Sequence, residues 1–150
     1  MAAVAQPLAN SKASVSVAAA PVVLAGRFLF ALIFLMAGAT HFLSQTIAFA
    51  ASQGVPLASV LVPLAGVIAL LGGLSILLGY QARIGGWLIV LFLLGVTPLH
   101  KFWGISDPMM QQMQMAMFMK NLAMLGGALL ITQFGAGPWS LDARSPRVQS

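Results

Sequence analysis

The chain has 150 residues, 60% of them hydrophobic and only 6% charged, with a mean hydropathy of +0.98. A soluble domain is roughly 45–50% apolar and about 25% charged, so this length and balance exclude a water-soluble fold and leave a single integral membrane domain. With no cysteine, disulfide exchange, iron–sulfur ligation and thiolate chemistry are excluded; with Asp107 and Asp142 as the only acids, so are paired-carboxylate hydrolysis and an acidic calcium or magnesium cage. The net charge of +5 comes from Lys and Arg scattered singly along the chain, which points to membrane topology and not to nucleic acid.

No charged residue lies between Arg27 and Arg83. A span needs about 20 apolar residues, so this stretch is read as two helices, about 22–43 and 57–78, divided at Ser44-Gln45 and at Gln53-Gly54-Val55-Pro56. Gly79-Tyr80-Gln81-Ala82-Arg83 reads as a tight turn, followed by a third helix over about 84–99. Asp107-Pro108 has the form of an N-cap followed by proline at the first helical position. The fourth helix then runs to Phe134. At about 1.5 Å per residue it would measure roughly 40 Å, so its Met- and Gln-rich first turns are expected at the membrane surface. Residues 1–20 and 135–150 are read as loosely ordered tails around a transmembrane domain over 21–134. The N-terminus lacks a charged n-region and is not read as a cleaved signal peptide.

The fold class expected is therefore an all-α, four-helix transmembrane bundle. Four spans put both termini on one side, with Lys12, Arg27, Arg83, Arg144 and Arg147; the other side has Lys101 and Lys120. The positive-inside rule makes the termini cytoplasmic and places His41, His100, Lys101, Trp103 and Lys120 at the outer end. Arg27 is expected to snorkel to cytoplasmic headgroups and Arg83 to set topology.

An internal echo runs through the chain. Thr40-His41 closes the first helix and Thr97-Pro98-Leu99-His100 the third, while Ala69-Leu70-Leu71-Gly72-Gly73 is answered by Ala123-Met124-Leu125-Gly126-Gly127. This predicts two pseudo-repeated helical hairpins. The glycine pairs Gly72-Gly73 and Gly126-Gly127 are expected to let helix backbones approach closely.

Four segments together resemble the DoxX family: Gly66–Gly79 followed by Arg83, the approach Gly54-Val55-Pro56, His100-x-Phe102-Trp103, and Phe118 to Gly127. The resemblance covers about residues 22–134. It implies a four-helix multi-pass protein of the bacterial inner membrane, often a small subunit beside redox enzymes such as thiosulfate:quinone oxidoreductase. Two departures matter: many members carry glutamate where this chain has Ala69, and lysine near His41.

The candidate ligand-binding residues are His41, His100, Lys101, Trp103, Lys120 and Asn121. Imidazoles exchange protons near neutral pH, ammonium groups hold an anion, and an indole stacks on a ring. A quinone headgroup needs that combination, and a small anion needs the lysines. The plainer reading is anchoring, since His, Trp and Lys are ordinary at helix ends. The leading expectation is a small subunit of a quinone-linked oxidoreductase, with no covalently bound cofactor, no metal site and quinone as its candidate ligand. Its partners would be the lipid bilayer and other membrane subunits. The second is a non-catalytic assembly or anchoring subunit; the third is metal or solute handling at the outer Met/His-rich end. Six methionines lie between Met109 and Met119; thioethers are soft Cu(I) ligands, but they also make adaptable contact faces. A bis-His haem on His41 and His100 fits by residue type alone.

Overall fold

A computed structural model describes residues 19–144 and is helical throughout, with no strand among the described residues. Four helices are long and apolar enough to cross a membrane: α1 (Ala20–Thr40), α3 (Ala58–Leu78), α4 (Ala82–Val96, extended by a 3-10 turn Thr97–Leu99) and α5 (Pro108–Phe134). Their outward faces carry large apolar side chains such as Leu29, Leu71, Leu94 and Leu130. That surface suits hydrocarbon, where helices satisfy their own backbone groups.

Two short helices complete the chain, α2 (Ser44–Ser52) and α6 (Leu141–Arg144). The sequence reading has no helix at α2, because nine residues cannot span a bilayer and its flanks are polar. It folds because Ile47 and Ala50 share one face and pack with Val55 onto Ala58 and Val62 of α3. The Thr46 hydroxyl donates to the Thr40 carbonyl, holding α2 across the end of α1. At the start of α5, Asp107 Oδ1 accepts from the Met109 N–H at 3.1 Å, the cap expected from the sequence.

The bundle is ordered by close backbone approach. α1 packs on α3, α3 on α4, and α4 on α5. A Cβ on Gly66 of α3 would sit 2.9 Å from the Gly38 carbonyl of α1, and one on Gly72 would sit 2.8 Å from Ile89 of α4. Gly73 faces Leu35 of α1, and Gly127 faces Phe30 of α1. Around these contacts Phe34, Ala69, Ile76, Ile89, Leu93 and Ala128 form the core.

Gly126 corrects the sequence reading: nothing lies within 4 Å of where its Cβ would be, so it packs closely on no helix among the described residues. Successive residues lie about 100° apart on a helix, and α5 is rotated so that Gly127, not Gly126, meets its neighbour. The internal echo persists in the packing with a shift of one residue. Gly72 meets the neighbouring hairpin's α4 as Gly127 meets α1, and Gly73 approaches the Ala31 carbonyl as Ala128 approaches Gly86.

The segment after α5 is a second correction. Residues 135–144 fold back over the end of the bundle that carries Arg27. Arg27 is 6% exposed, and its Nη1 and Nη2 donate to the carbonyls of Ala136 (3.0 Å) and Trp139 (2.9 Å). It does not snorkel to solvent. Asp142 accepts from the N–H groups of Gln81 (2.7 Å) and Ala82 (3.0 Å), capping α4 from sixty residues away in sequence, and its own N–H returns to the Gly79 carbonyl. Gly79, at φ +65°, is required twice: it ends α3 in the left-handed region, and a Cβ there would collide with Ser140. The expectations for residues 1–18 and 145–150, with Lys12 and Arg147, lie outside the described residues.

Candidate functional site

At the end opposite Arg27, the four long helices enclose a half-open cavity of about 540 Å³. Clefts of roughly 300–1,000 Å³ bind small molecules. It runs along α1 from His41 to Ile33, about 12 Å at about 1.5 Å per residue. The buried Phe34 and Phe92 line its inner part, and α2 contributes Thr46 and Phe49.

Four of the six candidate residues, His41, His100, Lys120 and Asn121, line this one cavity. His41 is the residue that closes α1. Its Nδ1 lies 2.6 Å from the Ala37 carbonyl, and because a carbonyl only accepts, Nδ1 carries the proton and Nε2 presents a lone pair. Its ring stands edge-on to Phe92 with centroids 5.3 Å apart, which fixes its orientation. His100 follows the 3-10 turn, where its backbone N–H donates to the Thr97 carbonyl. Its Nδ1 donates to Gln114 Oε1 at 2.9 Å, so it too leaves Nε2 as the acceptor. Neither Nε2 has a partner among the described residues.

Asn121 is the most informative member. It is 5% exposed, lines the cavity, and its carboxamide makes no hydrogen bond to any described residue. Its amide atoms are nevertheless reachable from the cavity, since among the described residues only the Arg27 Nε is a fully buried side-chain polar atom without a partner, so the carboxamide is free to bond a ligand there. Its neighbour Lys120 is exposed at the cavity's edge, about 18 Å along the helix from Pro108 at about 1.5 Å per residue. Its Nζ donates to Met117 Sδ at 3.3 Å, a weak acceptor for a full charge. Both acids of the chain are engaged elsewhere, Asp107 in capping α5 and Asp142 at the far end. The cavity therefore carries a positive charge with no counter-ion of its own.

Lys101 and Trp103 do not join them. Both belong to the loop before α5 and are exposed; the Trp103 ring packs edge-on against Phe102 (5.3 Å) and Phe118 (6.5 Å) on the outside of the cavity. Phe102 anchors the loop on Phe118 and turns the indole outward. Met109, Met110, Met113 and Met119 are exposed around the start of α5. Met117 accepts a hydrogen bond from Lys120 on its sulfur.

The DoxX family profile matches residues 22–103, more than half of the chain. The chain belongs to the DoxX family. The DoxX match takes in α1 to α4 and the loop as far as Trp103, and so includes His41 and His100 but stops before Lys120 and Asn121. No curated protein and no solved structure matches the chain. The position where the sequence departs from many DoxX members, Ala69, is wholly buried in the core.

Sequence reasoning missed the apolar part of the site. Phe34, Leu64, Leu91 and Gly95 line the cavity, and nothing sets them apart from other Leu, Phe and Gly in a chain this uniformly apolar.

Proposed function

We propose that this DoxX protein is a small multi-pass subunit of a quinone-linked oxidoreductase of the bacterial inner membrane, and that the cavity holds the quinone headgroup. The observation that carries the reading is Asn121, whose carboxamide faces the cavity without a hydrogen-bond partner among the described residues, beside two imidazoles and an ammonium with no carboxylate partner among them. A quinone supplies what these groups lack. Its carbonyl oxygens accept from the Asn121 amide and the Lys120 ammonium, and the developing negative charge on reduction is held by Lys120. In the reverse direction the quinol's hydroxyl protons have acceptors in the Nε2 atoms of His41 and His100. The residues of this chain bind, orient and move protons; electrons come from a redox partner subunit.

The distribution of charge supports the orientation. Arg27, Arg83 and Arg144 gather at the end opposite the cavity, which the positive-inside rule assigns to the cytoplasm; the quinone headgroup then sits toward the outer face. The assembly reading has an observation of its own: among the described residues nothing lies within 4 Å of where a Cβ on Gly126 would be. A neighbouring subunit packed there would serve both readings.

The test is binding of a decyl-substituted benzoquinone to the purified protein in lipid nanodiscs. Asn121→Leu and Lys120→Met should each weaken binding by about tenfold, the loss of one hydrogen bond to a buried or charged group. Unchanged affinity in the double variant would end the quinone reading.

A further inference from the structure

The walls of the cavity differ in chemistry. Its polar side chains stand on α1, on α2, after α4 and on α5: His41, Thr46 (whose hydroxyl is bonded to the Thr40 carbonyl), His100, Lys120 and Asn121. The α3 wall is Leu61, Val62, Leu64, Ala65 and Ile68, without one polar side chain.

The seam between α3 and α4 also changes along its length. Toward the Arg27 end it is closed: a Cβ on Gly72 would sit 3.1 Å from the Gly85 carbonyl, and one on Gly85 would strike Ser75. Toward the other end it is open. Gly95 has nothing within 4 Å of where a Cβ would be, although it lines the cavity. Leu64 of α3 and Leu91 of α4 line the same cavity while remaining 52% and 57% exposed. Side chains that face the cavity and the exterior together mark its rim. Leu61, Leu64 and Ile68 of α3 and Leu91 and Gly95 of α4 all line the cavity. This stretch of the rim, unlike the edge at Lys120, is wholly apolar and lies within the membrane-spanning length of both helices, which suits it to open into lipid.

From this we infer that the cavity is loaded sideways from the bilayer through the α3–α4 seam, and that its ligand is an amphiphile: headgroup among His41, His100, Lys120 and Asn121, apolar chain leaving between Leu64 and Leu91. The inference rests on the quinone reading of the same cavity and adds the route and the requirement for a chain. A membrane-dissolved ligand exchanges lipid contacts for leucine contacts along this path, so the chain pays no desolvation. The headgroup, poorly satisfied in hydrocarbon, gains donors at the far wall. A volume of about 540 Å³ encloses a ring with a short substituent, and the rest of a long chain has to lie in the seam.

Gly95→Leu is the discriminating variant, because it adds a side chain at the rim where a Cβ would have nothing within 4 Å. Two benzoquinones of identical ring, one with a decyl and one with a methyl substituent, would be titrated into wild-type and Gly95→Leu protein in nanodiscs. Affinities are referred to probe concentration in the bilayer, and Gly126→Leu serves as the control away from the cavity. The expected result is binding of both probes by wild type. Gly95→Leu should lose about tenfold in decyl affinity, because its side chain occupies the path of the chain, with methyl binding and the unfolding midpoint unchanged. Equal loss of both probes, or no loss of decyl binding, in Gly95→Leu would overturn lateral loading while leaving the quinone reading standing. Failure of wild type to bind either probe would instead overturn the quinone reading, and this inference with it.

Discussion

Arg27→Met combined with Asp142→Ala tests whether residues 135–144 close the Arg27 end as one unit. Arg27 donates two hydrogen bonds, to Ala136 and Trp139. Bonds to a charged group contribute about 1.5–3 kcal/mol each. Removing the guanidinium forfeits both, but it also relieves a buried charge and the Nε atom, which is buried without a partner and costs about 1–3 kcal/mol. The balance leaves Arg27→Met destabilising by about 2–3 kcal/mol. Asp142 accepts from Gln81 and Ala82 at the first turn of α4. Replacing such a cap by alanine costs about 0.5–2 kcal/mol, and Asp142 is half-exposed, so about 1 kcal/mol is expected. If either substitution releases the whole segment, the double variant costs little more than Arg27→Met alone. The cycle then shows a coupling of about 1 kcal/mol, above the 0.3–0.5 kcal/mol within which distant sites add. Reversible unfolding in mixed micelles, followed by far-UV circular dichroism on all four proteins, measures this. Strict additivity, or a stabilising Arg27→Met, would refute the account of a segment held by both contacts.

The two adjacent glycines of α5 should behave oppositely. Gly127→Leu drives a side chain into Phe30, whose ring already lies 2.9 Å from the Cβ position, and should cost at least about 1–3 kcal/mol from overpacking in the same unfolding measurement. Gly126→Leu faces open space and should leave the unfolding of the isolated chain unchanged within about 0.5 kcal/mol; in the native membrane it should reduce co-purification of any subunit packed on that face.

Helix positions were legible in the sequence where chemistry marks an end. Asp107-Pro108 announces the start of α5, Gly79 the end of α3, and Gln53-Gly54-Val55-Pro56 the approach to α3. The short helix α2 escaped because its stability comes from Ala58 and Val62 beneath it and not from length or capping. The fold-back after α5 escaped for a related reason: Arg27 reaches partners 109 and 112 residues away, and the sequence offers only a lone arginine and a Gly/Pro-containing end. Gly126 and Gly127 were indistinguishable because no polar stripe on that part of α5 fixes its rotation.

The polar half of the site was legible by residue type, since ionisable and amide groups are rare and costly in a membrane. Which of them converge depends on helix order. The α1–α3–α4–α5 arrangement gathers His41, His100, Lys120 and Asn121 and leaves Lys101 and Trp103 outside. The family match, ending at Trp103, covers the two histidines but not the α5 residues that complete the cavity.

Photoaffinity labelling in native membranes tests the central claim most directly. An azido-benzoquinone would be irradiated with the full-length protein, and labelled peptides read by mass spectrometry with and without excess unlabelled quinone. The account predicts labels on peptides carrying His41, His100 and Lys120-Asn121, suppressed by competitor. Labelling spread over the lipid-facing surface of Leu29, Leu71 and Leu130 and indifferent to competitor would contradict a quinone site in this cavity.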